Sequence, residues 1–354
     1  MSKVYFVGGH YLGCYYVRCF LPLLYNGWMG NYAGLEPDLK PIAQQLSEMR
    51  NSDIIVFHRA DTIEHHKVAI ELKRLGKKIV FDNDDTFNLD KTHAFYNLDD
   101  KGFKKNVKMK NLLINNFIKN CDLVTTSTEF LAEEYRKISK NVVVLPNCVN
   151  PEDWDEPLRN EDERVRVGIV GSTAYYHDFD IIKKEIRALY NDKRIKLVLF
   201  GLHSPKTRKE NPLVSKVHLK EYGFWDDMPD IEHVSWCEMV DYFTILNELK
   251  LDMMLIPRRE SYFNKAKSNV KFLEAAMCEI PVITNYFKGS PYEHDIDGTN
   301  GLMIKKDWIG AVETLMDKDV RRQMGANARA YVLANYNIKD KAHLWADAYE
   351  TISN

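Results

Sequence analysis

The amino-acid sequence predicts an α/β protein built from two parallel-sheet domains. Three observations carry that expectation. The chain has 354 residues, and single domains usually run to about 100–200 residues, so two domains are expected. Short apolar runs alternate with longer amphipathic stretches, the pattern of right-handed βαβ units. The alternation breaks once, over residues 150–164 (NPEDWDEPLRNEDER), a polar, acid-rich stretch with two prolines that reads as an interdomain linker.

The elements follow in order. Residues 4–7 (VYFV) are expected as a strand that ends in Gly8-Gly9. Residues 53–57 (DIIVF), 78–81 (KIVF), 123–126 (LVTT) and 142–145 (VVVL) continue the set. Between them, 62–75 and 108–120 carry apolar residues at helical spacing. Beyond the linker, 165–170 (VRVGIV) is followed by Gly171 and 196–200 (KLVLF) by Gly201. Strands are also expected at 252–256, 281–284 and 302–304, and residues 310–354 look helical throughout.

Composition limits the function classes. Hydrophobic residues make up 45%, aromatic residues 12% and charged residues 28% of the chain, which supplies two cores and excludes disordered, collagen-like and low-complexity architectures. The 49 basic and 51 acidic residues leave a formal charge of -2, so no overall basicity points to nucleic acid or membrane as the main partner. A local patch stays open. Residues 101–110 (KGFKKNVKMK) hold five lysines, a solvated helix face that could also dock a lipid headgroup or nucleic acid. The six cysteines form no CxxC pair, and the start lacks the apolar run of a signal peptide. No stretch approaches 18 apolar residues, so no membrane-spanning segment is expected. A cytoplasmic protein with reduced thiols is expected, with a peripheral place at a membrane surface also open.

Ligands of parallel sheets sit at the carboxyl ends of the strands. Gly8-Gly9, His58-Arg59, Asp82–Asp85, Gly171–Thr173 and Pro257–Arg259 are therefore expected at one cleft edge. The most informative stretch is 263–284, FNKAKSNVKFLEAAMCEIPVIT. A helix is expected from Ser268 to Cys278, with Ser268 as its cap. Lys267, Lys271 and Glu274 are spaced i, i+4, i+7 and share one face beside Val270, Leu273 and Met277. Lys265, Lys267 and Lys271 crowd the amino end, where the helix dipole disfavours cations and welcomes a phosphate. On spacing alone, a solvated helix with a Lys271–Glu274 pair fits equally well.

The same segment resembles the donor-binding signature of GT-B glycosyltransferases, close to the retaining family-4 type. SDIIVFHR at 52–59, GKKIVFDNDD at 76–85, the stretch from CDLVTTSTEFLAEEY to VVVLPNCVNPEDW at 121–154, VRVGIVGSTAYYHDFD at 165–180 and LDMMLIPR at 251–258 resemble further parts of that family in the same order. The resemblance implies two Rossmann-like domains facing across a cleft. Residues 1–157 would form the acceptor-side domain and 158–335 the nucleotide-sugar domain, with 336–354 crossing back to the first. It implies metal-independent transfer of a sugar, with retained anomeric configuration, from a nucleotide-diphosphate donor to a hydroxyl. A UDP-sugar is the expected co-substrate, with no cofactor. The acceptor would be a glycan, lipid-linked sugar or polymer, with a modified nucleic-acid base the more distant option; monomer and homo-oligomer stay open.

Roles then fall on matching positions. Glu274 would hold the ribose, and Lys267 and Lys271 the diphosphate, with backbone N–H groups of Ser268 and Asn269 beside them. Gly171, Ser172 and Thr173 would form a phosphate-facing loop, Arg258 a phosphate clamp, and Trp236 either a base-pocket wall or a core residue. Gly8 and Gly9 would let the first loop approach the donor. His58, Arg59, Asp84, Asp85 and Lys267 are the catalytic candidates, with the acids placing an acceptor hydroxyl. One departure stands out: many relatives carry a glutamate at the position of Ala266, and Asn264 or Lys267 would fill that space. Two other readings remain open. DNDDT at 82–86 resembles the first motif of haloacid-dehalogenase-like, Mg²⁺-dependent phosphohydrolases, with Asp82 as nucleophile and Asp84 as acid/base. A non-catalytic sugar-nucleotide-binding protein is the other.

Overall fold

In the computed structural model of the chain, the description covers residues 2–8, 13–30, 45–89, 101–171, 173–201, 224–225 and 227–353, limited to the backbone at 101–104 and 173–177. Two six-stranded sheets, parallel throughout, form the framework. The first holds β1 (Val4–Gly8), β2 (Met29–Gly30), β3 (Ile54–His58), β4 (Lys78–Asn83), β5 (Leu123–Thr126) and β6 (Val142–Val144), in the order β2-β1-β3-β4-β5-β6. The second holds β7 (Val165–Val170), β8 (Ile195–Phe200), β9 (Glu232–Val234), β10 (Met253–Ile256), β11 (Val282–Asn285) and β12 (Leu302–Ile304). Its order, β12-β11-β10-β7-β8-β9, is that of the doubly wound dinucleotide-binding fold, whose crevice opens where the order reverses, between β7 and β10.

Both faces of each sheet are covered, which is why the strands read as continuous apolar runs. Val4, Phe6, Ile54 and Val56 pack into one layer of the first domain, and Tyr5, Val7, Ile55 and Phe57 into the other. The second domain divides the same way, Leu197 and Leu199 on one side and Val198 and Phe200 on the other.

The chain crosses between the sheets twice, side by side. Val149 N–H donates to the Tyr336 carbonyl at 2.9 Å, and Ile338 N–H donates to the Val149 carbonyl at 2.9 Å. Helix His343–Glu350 then lies on the first sheet, with Trp345 fully buried beside Val4, Phe6 and Ile54. Residues 150–164 are irregular apart from the turn Pro151–Asp153, and Trp154 anchors them in the second core, its ring centroid 4.5 Å from that of Phe243.

Three elements differ from expectation. The two-residue β2 has no periodicity to reveal it. The helix expected over 108–120 spans Lys101–Asn120, because its lysine-rich first half carries no helix breaker beyond Gly102. The helix expected from Ser268 begins at Val270. No helix of the described residues is long and apolar enough to cross a membrane.

Candidate active site

A cavity of about 300 Å³ opens between the two sheets at the carboxyl ends of their strands. Lys267, Ser268, Lys271, Glu274, Arg258, Gly171 and Trp236 reach it from the second domain, and Arg59 and Asp84 from the first. A cavity of about 410 Å³ lies elsewhere, between helices Ile63–Arg74 and Lys101–Asn120, remote from these strand ends.

On the second-domain side, helices Tyr262–Ala266 and Val270–Met277 meet at Lys267-Ser268-Asn269. No side chain caps the second helix. Asn269 instead donates to Asp295 Oδ2 at 2.8 Å, and Asp295 Oδ1 accepts the hydroxyls of Tyr331 and Tyr336 at 2.9 and 2.6 Å. Ser268 Oγ accepts from Asn147 Nδ2 at 2.9 Å. The capping chemistry read from the sequence is thus spent on bracing the helix start, leaving its orphan N–H groups to other acceptors.

One turn in, Lys271 Nζ donates to Glu274 Oε2 and to the Tyr242 hydroxyl, both at 2.8 Å, and Tyr242 donates to Glu274 Oε2 at 2.7 Å. Both bonds to Glu274 use Oε2; none of the described residues bonds Oε1. Burial would lower the Lys271 ammonium, but Glu274 and Tyr242 outweigh it and hold it well above its ordinary value, so it stays charged. Tyr242 stacks on Phe200 with centroids 5.4 Å apart. Arg258 pairs with Asp178 at 3.3 Å, both buried. Asp178 also accepts the Arg259 N–H at 2.9 Å and Asn264 Nδ2 at 2.7 Å. Asn264 therefore braces the loop from behind and does not line the cavity.

On the first-domain side, two arginines organise the acids. Arg18 sits in the π-helical turn Tyr16–Phe20, a geometry frequent at functional sites. Its guanidinium bonds both oxygens of Asp82, at 3.1 and 2.6 Å, and reaches Asn147 Oδ1 at 3.1 Å and the Leu145 carbonyl. Thr125 Oγ1 donates to Asp82 as well, at 2.7 Å, and Asp82 is fully buried. This overturns the phosphohydrolase reading, since a nucleophile with both oxygens engaged and no exposure cannot meet a phosphoester.

Asp84 accepts Arg59 Nε at 2.6 Å and lies 3.3 Å from His58 Nε2. Burial pushes the Asp84 carboxyl up, but Arg59 and His58 outweigh it and hold it well below the usual carboxylate range. Arg59 has a φ of 51°, a left-handed conformation costly for a side chain with a Cβ and common at ligand sites. Its guanidinium spans Asp84, Asp85 at 3.5 Å and the Cys14 thiol at 3.0 Å. Lys267 Nζ reaches across the cleft to Asp85 at 2.7 Å, joining the two domains.

The remaining expected residues sort by position. His58 is buried behind Asp84, off the cavity wall. Gly8 is also off the wall: a Cβ there would lie 1.9 Å from the Tyr15 ring, so the glycine serves Tyr15 packing rather than donor approach. Trp236 stands half exposed on the rim, which removes the core alternative. Ala266 is fully buried in the first domain's apolar cluster, and its carbonyl accepts Thr128 Oγ1 at 3.5 Å, so this position makes an interdomain contact. Gly9, Ser172 and the Thr173 side chain lie outside the described residues. Tyr242, Asn147 and Gly201 were not singled out from sequence. Gly201, with φ +82° and its ideal Cβ 2.9 Å from the Gly171 carbonyl, had a signal: it ends an apolar run as Gly171 does. Tyr242 sits in an ordinary amphipathic helix and had none.

Two Rossmann-like sheets facing across a cavity lined from both sides form the GT-B arrangement. The family model described as glycosyl transferase-like matches residues 208–347, the stretch that holds Tyr242 and helix Val270–Met277. The fold is thus that of GT-B glycosyltransferases, and the glycosyl transferase-like match covers part of the second domain. Among solved structures, sucrose-phosphate synthase from Thermosynechococcus elongatus shares 15% identity at a TM-score of 0.66, over 99% of this chain and 98% of that one. Anabaena HepE, solved with UDP and glucose, shares 11% at 0.67, over 99% and 100%. TarM shares 14% at 0.61 over 89% of this chain, which spans only 59% of TarM. No curated protein sequence matches the chain.

Proposed function

We propose that the protein transfers a sugar from a UDP-sugar to an acceptor hydroxyl, with retention and without a metal. One observation carries the reading: a single interdomain cavity joins Lys267, Lys271 and Glu274 of the donor segment to Arg59 and Asp84 of the first domain. Glu274 Oε1 would take the ribose diol, with Trp236 or the Tyr242–Phe200 stack against the base. Lys267, Lys271, Arg258 and the backbone at Gly171 and the start of helix Val270–Met277 would surround the diphosphate, supplying positive charge where the leaving group becomes negative. A phosphate oxygen of that leaving group would take the proton of the acceptor hydroxyl on the same face of the sugar, which retains configuration. Asp85 and Asp84 would position that hydroxyl. Domains 1–157 and 158–335 would carry acceptor and donor respectively, in a cytoplasmic protein.

The test is a panel of UDP-, GDP-, ADP- and TDP-sugars with the full chain, with and without EDTA, scored for nucleotide release and for a thermal shift by mass action. A shift and turnover with UDP-sugar alone, unchanged by EDTA, supports the reading, and proton NMR of the product reads the anomeric configuration. No response to any nucleotide sinks it.

A further inference from the structure

Helix Lys101–Asn120 contains six lysines and no acidic residue, although the whole chain carries a formal charge of only -2. Lys105, Lys108 and Lys119 are exposed and have no carboxylate partner among the described residues; Lys110 is paired with Asp61. Apolar side chains stand between these lysines. Met109 and Leu112 are 42% and 54% exposed, and Ile63, Ile70 and Leu75 are similarly bare on and just after the neighbouring helix Ile63–Arg74. The cavity of about 410 Å³ opens between the same two helices, with Ala69, Ile79 and Phe117 among its walls and Lys73, Arg74 and Lys119 around it. Lys110 bonding to Asp61 and Asn111 donating to the Phe87 carbonyl at 3.1 Å bring this helix against the loops that carry Arg59 and Asp85, at the acceptor edge.

We infer that this two-helix face docks the protein on an anionic lipid surface. Lysines supply long-range attraction to acidic headgroups, and the interleaved Met109, Leu112 and Ile63 supply apolar area that enters the headgroup boundary. The groove, apolar within and cationic around, fits a lipid whose phosphate meets Arg74 or Lys119, Lys73 being held by Asp122 at 3.1 Å. A nucleic acid would not need the bare apolar side chains, and the helix offers it no arginine for base or phosphate forks. The inference rests on this face alone and is independent of the donor chemistry.

Co-sedimentation of the full chain with vesicles tests it, comparing phosphatidylcholine alone with phosphatidylcholine containing phosphatidylglycerol. Binding is expected only to the acidic vesicles, weakening as salt rises. Lys105→Glu/Lys108→Glu should lower the partition coefficient by about thirtyfold or more. Met109→Ser/Leu112→Ser should lower it while leaving its salt dependence in place, and gives a second reading should the charge reversal impair folding. UDP-induced thermal shifts should be the same in both variants as in the native chain. Equal binding to both vesicle types, no binding to either, or binding that ignores both pairs of substitutions overturns the inference. So does a chain that ignores vesicles but binds a DNA duplex through Lys105 and Lys108.

Discussion

Glu274→Ala should remove the ribose contribution to UDP binding. In the free site Oε2 of Glu274 is occupied by Lys271 and Tyr242, so Oε1 is the acceptor left for a diol. A hydrogen bond to a charged group contributes about 1.5–3 kcal/mol, which corresponds to a loss of roughly ten- to a hundredfold in affinity. Removing the carboxylate also frees Lys271 to meet the diphosphate, but UDP and its deoxy analogues share that change, so it cancels when they are compared. Calorimetric titration with UDP, 2′-deoxy-UDP and 3′-deoxy-UDP separates the cases as a double-mutant cycle. The native chain should prefer UDP to at least one deoxy analogue, and Glu274→Ala should erase that preference. Glu274→Gln, which keeps a carbonyl acceptor, should fall between. If the preference survives in Glu274→Ala, the ribose is not held by Glu274 and the donor assignment fails.

Four other predictions probe the site and its support. Lys267→Met should weaken UDP about tenfold and leave uridine unaffected, because the diphosphate is the part of UDP proposed to meet its ammonium; equal losses for both ligands would contradict this. Arg18→Met strands the buried Asp82 carboxylate and should cost about 3–5 kcal/mol in urea unfolding, with Arg18→Met/Asp82→Leu recovering most of it; an unchanged midpoint in the single variant would refute the account. Gly8→Ala forces a Cβ against the Tyr15 ring and should cost about 1–3 kcal/mol, read by the same assay. Asp84 has its folded value depressed below the ordinary 3.8, so its stabilising effect is complete above that pH and is lost as pH falls through the lower folded value. The stability advantage of the native chain over Asp84→Asn should therefore shrink as pH falls below about 4.

Local signals were legible where one segment carries the whole pattern. Strands such as 53–57 and 196–200 are buried on both faces, and the packing that buries them is written in their own residues. Lys267, Lys271 and Glu274, which spacing alone left open and the family resemblance singled out, do share one cavity. What stayed hidden depends on partners far along the chain. Asn147 matters because it lies between Arg18 and Ser268, more than a hundred residues away on either side. Tyr242 matters because Glu274 and Lys271 close on it. The helix start shifted from Ser268 to Val270 for the same reason: a good capping residue was taken by a tertiary partner. Ala266 is legible only once the first domain's core reaches it.

The position of Trp345 also bears on the order in which the chain can fold. The first sheet has all its strands once residue 144 has been made, yet one of its faces waits for the helix His343–Glu350. About 200 residues of synthesis separate the two, roughly 10–40 s at about 5–20 residues per second. During that interval Val4, Phe6, Ile54 and Val56 lack their final cover while the second domain is assembling. The leading half of the polypeptide thus leaves the ribosome with its greasy flank bare, and its maturation is timed by the trailing one.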